Sequence, residues 1–219
     1  MSRPQITLTT KRGKVLNAFE ADSITRKIQE KGEYDANTLD SLTDVLTLIR
    51  PEASLDIGAN IGNHALVIVD HSKRVIAFEP VGFIFQALEA NIRQNGATHV
   101  ETVNAGLSDE NREAEIFIPD NANLGSSSLE IRQGQGEKLK IKAIVGDEHL
   151  SQRQEVKIDF IKIDVEGHEV PALQGLEKTI GTHQPLLLLE YKTRKTIDGF
   201  RSEGLFDNLF AGYTVFSFR

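Results

Sequence analysis

From Asp56 to Tyr191 the chain alternates between two hydrophobic periods, and that alternation admits few folds. "SLDIG" (Ser54 to Gly58) is a short apolar run broken by glycine, and a helix-compatible stretch with Ala65, Leu66, Ile68 and Val69 follows. "RVIAFEP" (Arg74 to Pro80) reads as a buried strand stopped by proline; Val81, Ile84, Leu88 and Ile92 then recur at helical spacing until Asn95-Gly96 closes the helix. "HVETVNAGL" (His99 to Leu107) alternates as a strand does, and "IDFIKIDVEG" (Ile158 to Gly167) is a further apolar run ending in acids. Val170, Leu173, Leu176 and Ile180 mark another helix, and "PLLLLEY" (Pro185 to Tyr191) another strand. Strands that alternate with helices predict an α/β fold with a mostly parallel sheet and helices on both faces.

Two regions depart from this pattern. Residues 1–50 read as short polar elements followed by a helix around Leu39 to Ile49, an N-terminal cover belonging to the same domain as residues 51–219. Between Glu113 and Val145, "REAEIFI" and "KLKIKAIV" are joined by "DNANLGSSSLEIRQGQGE", which predicts an inserted β-hairpin with a long connection. Such a loop is either functional or a tip without a role. The closing "GYTVFSFR" (Gly212 to Arg219) is expected to form a last, antiparallel strand at the far end of the sheet.

Composition narrows the function. With 25 basic and 32 acidic residues the formal net charge is −7, which disfavours a broad grip on nucleic acid or on an anionic membrane. The absence of cysteine excludes a disulfide framework, a thiolate metal site and a thiol nucleophile. The opening "MSRPQITLTTKRGK" lacks an apolar leader core, and no run approaches the roughly 18 apolar residues of a membrane span, so the expected location is cytoplasmic.

An open parallel sheet binds ligands at the carboxyl ends of its strands, where "DIGANIG" would sit. Gly58 and Gly62 allow a sharp turn and close approach of a ligand to the backbone. A dinucleotide fingerprint would need glycine where Asn60 and Asn63 stand, and no Gly-Lys-Ser/Thr follows for a phosphate loop. Glu79 ends the next strand, 23 residues beyond Asp56, near the interval at which an acid meets a ribose in dinucleotide folds. An ionised carboxylate only accepts hydrogen bonds, so two sugar hydroxyls can donate to it together, which suits any adenosine-type ligand. Either signal alone also fits a structural turn or strand-end acid; in adjacent strand ends and in this order they point to a ligand.

"LDIGANIGNHAL", "VIAFEP" and "FIKIDVEGHEVPALQGL" resemble the FkbM-type family of S-adenosylmethionine-dependent methyltransferases, whose members characteristically methylate hydroxyl groups; the resemblance runs from about Leu39 to Tyr191. It implies the Rossmann-like class I methyltransferase fold, with seven strands and a terminal antiparallel hairpin. It implies S-adenosyl-L-methionine as cofactor, with Asp56, Gly58, Ala59, Asn60 and Gly62 around its methionine part and sulfonium, Glu79 on the ribose and Asn104 at the adenine. Asp56 can also be read as a turn former bonded to its own loop, although contact with the ligand, directly or through water, is the favoured role; Asn104 is equally readable as a turn residue leading into "LSD".

Methyl transfer to an alcohol needs an acceptor oxygen aligned with the methyl carbon and a group to remove its proton. Alignment supplies about 7–11 kcal/mol and proton removal a factor of roughly 10²–10⁴. "DVEGHE" gathers three acids and a histidine at the end of a central strand. Asp164 ranks first as base or acceptor-orienting group, Glu166 second and His168 third. Against these stand plainer roles: Glu166 and Glu169 stabilising the following helix by about 0.3–1 kcal/mol each, and His168 on the surface. No metal is expected to be required, although Asp164, Glu166 and Glu190 are hard oxygen ligands in type.

The expected acceptor is therefore a hydroxyl of a small molecule or of a sugar in a glycan, lipid or natural product. Two alternatives stay open. One is an RNA methyltransferase, although "DVEG" stands where amino-methylating enzymes often carry Asn-Pro-Pro-aromatic. The other is a nucleotide-binding oxidoreductase or a non-catalytic cofactor-binding module.

Overall fold

The computed structural model describes residues 3–119, 136–153, 156–190 and 194–216. The chain opens with an antiparallel pair, β1 (Gln5–Thr9) and β2 (Val15–Phe19), and two helices, α1 (Ser23–Lys31) and α2 (Ala36–Ile49). Local chemistry sets the limits of α1: the Asp22 carboxylate accepts from Ile24 N at 3.1 Å, and Gly32 ends the helix at φ 74°. The alternating part follows as β3 (Ala53–Ile57), α3 (Ala65–Val69), β4 (Arg74–Phe78), α4 (Gly82–Gln94) and β5 (Val100–Val103). Then come β6 (Gly106–Ser108), β7 (Arg112–Pro119), β8 (Gly136–Val145) and α5 (Gly146–Ser151). The chain continues with β9 (Ile158–Ile163), α6 (Glu169–Gln174), α7 (Glu177–His183), β10 (Leu186–Leu189) and α8 (Arg194–Ser202).

The central sheet has five strands in the order β10-β9-β3-β4-β5, every neighbouring pair parallel. All five residues of β3 are buried, as expected of a parallel strand covered on both faces. Period-2 alternation divides each strand between two cores. Val75, Ala77 and Phe160 join Leu16, Leu39, Leu46, Ile84 and Leu88, so the N-terminal elements share the core on that face. Ile76, Phe78, Ile161 and Ile163 join Leu173, Leu176, Ile180 and Phe200 on the other.

The structure differs from the sequence expectations in three places. The run His99 to Leu107 is not one strand: it breaks at Asn104-Ala105, leaving β5 in the central sheet and β6 in a separate three-stranded sheet of order β6-β8-β7. In that sheet the two predicted runs pair antiparallel, with Ala114 opposite Ile141, while residues 120–135 of their connection lie outside the described residues. The helix expected over Val170 to Ile180 is two helices. Gly175 passes so close to the β6 backbone that a Cβ there would lie 2.1 Å from Ser108 O, and the Asp147 carboxylate accepts from Lys178 N (2.8 Å) and Thr179 N (2.9 Å) to start α7 afresh. The seven-stranded sheet is not seen among the described residues: residues 212–216 form no strand, and residues 217–219 of the expected last strand lie outside the described residues. No helix among the described residues is long and apolar enough to cross a membrane.

Candidate active site

Parallel pairing brings the carboxyl ends of β3, β4, β9 and β10 to one rim, and the first residue past each strand continues the ladder. Gly58 N and Ala59 N both donate to Phe78 O (3.0 and 2.9 Å), Asp164 N to Ile57 O (3.0 Å) and Glu190 N to Ile163 O (3.0 Å). Glu79 N likewise donates to Val103 O at 3.0 Å. Gly58 lies at φ 80°, and a Cβ there would sit 1.9 Å from Asp164 O. The turn after β3 therefore touches the backbone leaving β9, which only glycine permits.

These ends open on a cavity of about 420 Å³, within the range of roughly 300–1,000 Å³ typical of small-molecule sites. Gly58, Ala59, Asn60 and Glu79 line one part of it, and Asp164, Glu166, His168 and Glu190 another. Ser23, Lys27 and Tyr34 from the N-terminal elements contribute a further wall. Asp56, Gly62 and Asn104 do not line the cavity. Asp56 is fully buried beneath it, Gly62 packs toward Leu88, and exposed Asn104 donates to Glu79 O (2.8 Å) and Pro80 O (3.1 Å).

Glu79 is 5% exposed and is held by the backbone on both sides, Oε2 accepting from Asn60 N (3.0 Å) and Oε1 from Val81 N (2.8 Å). Burial pushes its carboxyl up to about 7, against those two hydrogen bonds, which favour the ionised form. Each carboxylate oxygen keeps a lone pair for a further donor. Asn60 adopts φ 52°; its Oδ1 accepts from Ile61 N at 2.7 Å, and its backbone N–H is the donor to Glu79.

On the other side, Glu166 is buried at φ 54° and Gly167 follows at φ 105°. His168, 7% exposed, is not a surface residue: its Nε2 lies 3.1 Å from Ser108 Oγ. Glu169 accepts from Gly167 N at 2.9 Å ahead of α6, and burial raises its pKa. The Tyr34 hydroxyl is held protonated by burial and then by the charges of Asp164, Asp35 and Glu190. Among the described residues no group of three or more His, Asp or Glu side chains is placed to hold a metal ion.

Sequence reasoning passed over Lys162. It is 3% exposed, stands opposite Asp56 in the β3–β9 register, and donates to Asp56 Oδ1 at 3.1 Å. Burial alone would lower its pKa, but Asp56 and Asp164 outweigh that and raise it. A charged residue inside the apolar run "IDFIKI" was the available signal. Tyr34, Lys27 and the His64–Asp35 pair (3.2 Å) sit in segments without clear periodicity and offered none.

Residues 56–213 match the model of the methyltransferase FkbM domain. The chain belongs to the FkbM methyltransferase family. It is 32% identical over 142 residues to the hexuronic acid methyltransferase AglP of Haloferax volcanii, covering 63% of this chain and 57% of that protein. It is 30% identical to the AMB antimetabolite synthetase AmbE of Pseudomonas aeruginosa, over 56% of this chain and 8% of that protein. The chain thus spans little more than half of one of these relatives and a small part of the other. The crystal structure of methyltransferase FkbM from Methylobacillus flagellatus shares the fold, with a TM-score of 0.50 at 20% identity, over 74% of this chain and 37% of that one.

Proposed function

We propose that this FkbM-family protein is an S-adenosylmethionine-dependent O-methyltransferase acting on a hydroxyl of a sugar or other small molecule. The observation that carries the reading is convergence: the Gly58–Asn60 turn, Glu79 and Asp164, from three separated segments, line one cavity. The residues suit the cofactor. The side-chain-free turn admits its amino acid end, and the spare lone pairs of Glu79 match two ribose hydroxyls. When bound, the cofactor supplies an electrophilic methyl group.

The chain's own groups do the rest. The Asp164 carboxylate accepts the proton of the acceptor hydroxyl, Glu166 and His168 orient that hydroxyl, and the Tyr34 wall shields the site from water. His168 donates or accepts through Ser108, which fixes its ring. Asp56 serves as the counter-ion of Lys162 rather than as a direct cofactor contact. Residues 1–50 act as part of the same domain and shape the acceptor side, since Ser23, Lys27 and Tyr34 line it. Similarity to a hexuronic acid methyltransferase supports a sugar acceptor. The acidic balance of the chain and its acid-lined cavity weigh against RNA.

The test uses methyl-labelled cofactor with neutral sugars, uronic acids and fractionated cell extract. Label is expected in a hydroxyl-bearing small-molecule or glycan pool, and Asp164→Asn should lose turnover while binding S-adenosylhomocysteine as before. Label confined to RNA, or thermal stabilisation by NAD and none by S-adenosylhomocysteine, would end this reading.

A further inference from the structure

Lys162 places an ammonium group inside the central sheet, within an otherwise apolar strand run. Its neighbours along β9, Ile161 and Ile163, are fully buried, and Lys162 itself does not line the cavity. Three groups surround its Nζ: Asp56 Oδ1 at 3.1 Å, Gly58 O at 3.5 Å and Asp164 Oδ2 at 3.8 Å. Neutralising Asp56 alone would not require the last two. Asp56 stands next to last in β3, Gly58 makes the turn against β9, and Asp164 carries its carboxylate from the end of β9 into the cavity.

We propose that Lys162 is a positioning residue that acts through Asp164: its buried ammonium ties β3 and the Gly58 turn to the Asp164 carboxylate and aims that group at the cavity. The role of Asp164 as base rests on the function proposed above, but the electrostatic hold does not. Lys162 is the cation that Asp164 meets at contact distance. The other charged or titratable groups acting on this cluster or lining the cavity beside it are Asp56 on β3, Glu79 after β4, Glu190 after β10, Tyr34 and Lys27 from the N-terminal elements, Glu166 and His168 after β9, and Glu169 on α6. Lys27 and His168 can carry positive charge, but the cation in ion-pair contact with Asp164 is Lys162. The paired carboxylates outweigh burial and keep the lysine protonated, its pKa lying above the ordinary value.

The experiment separates this role from simple neutralisation of Asp56. Lys162→Met leaves a buried carboxylate uncompensated and is liable to misfold, so the decisive comparison is Lys162→Met/Asp56→Asn against Asp56→Asn, which differ only at Lys162. The Asp164 carboxyl signal in aspartate-labelled protein, assigned by its loss in Asp164→Asn, is followed by carbon-detected NMR as pH is varied. Its midpoint is expected at higher pH in the double variant by about one unit, the size of effect a cation at this separation exerts. In methyl-transfer assays the acid limb of turnover should move the same way, while S-adenosylhomocysteine affinity differs less than threefold between the two. Coincident Asp164 midpoints would overturn the proposal and leave Lys162 as a counter-ion of Asp56 alone. Absence of methyl transfer from the parent protein would count against the proposed function, and the NMR comparison would still decide the role of Lys162.

Discussion

The turn after β3 and the segment after β9 reach the same cavity by opposite means. The first strips side chains away: Gly58 takes φ 80°, and the space where its Cβ would stand is filled by the Asp164 carbonyl. The second keeps them. Glu166 holds φ 54°, a conformation that costs an L-residue about 1–2 kcal/mol, and Asp164, Glu166 and His168 all face the cavity within five residues. One segment lines the cavity with bare main chain, and the other with acidic and imidazole side chains carried on a backbone held in an unfavourable conformation.

The sharpest way to break the comparison is Gly58→Ala. A methyl group overlapping a carbonyl that has no flexible end to move should cost at least about 3 kcal/mol, or abolish folding. Chemical denaturation measures it, and a variant as stable as the parent would show that the two segments do not touch.

Next in size is the pH dependence of the cofactor side. Because burial raises the Glu79 carboxyl to about 7, ribose hydroxyls meet a protonated group below that pH. Affinity for S-adenosylhomocysteine should fall by about tenfold per pH unit below 7, and Glu79→Gln should flatten the profile. Calorimetric titration from pH 5.5 to 8 reads this directly. The same group affects stability in the opposite sense. Between the ordinary carboxylate range and about 7 the folded state keeps a proton that the unfolded chain has released, so its contribution declines as pH rises through that window and levels off above it.

Glu166→Gly sharpens the contrast on the β9 side. Relief of the strained φ offsets the lost side-chain interactions, so stability should stay within about 1 kcal/mol of the parent while turnover drops at least about tenfold. Equal turnover would reduce Glu166 to a turn residue. The smallest effect is expected for Asn104→Ala. Its amide bonds to Glu79 O, half-buried, and to Pro80 O, exposed, should together cost about 0.5–1 kcal/mol of stability when lost. Cofactor affinity within threefold of the parent would assign Asn104 to the turn, and a larger loss would assign it to the adenine.

Much of the site was legible because its signals are local. Gly58 and Glu79 are marked by where apolar runs stop, and Asp164 by an acid run closing a buried strand. Lys162 was visible as a charge inside such a run but had no meaning until β9 was placed beside β3. The split between α6 and α7 was hidden for a similar reason: continuous apolar spacing through Leu173, Leu176 and Ile180 says helix, while the break comes from Asp147, distant in sequence, capping α7.

The sequence by itself determined the order of strands and helices and which residue types stand at the strand ends, because hydrophobic period and glycine conformation depend on a few neighbouring residues. Tertiary structure alone decided that Asp56 turns to Lys162 instead of the cavity, that β6 leaves the central sheet, and that Tyr34 and Lys27 join the rim. Strand register and the docking of the N-terminal elements are set by long-range packing, and no local spacing carries that information.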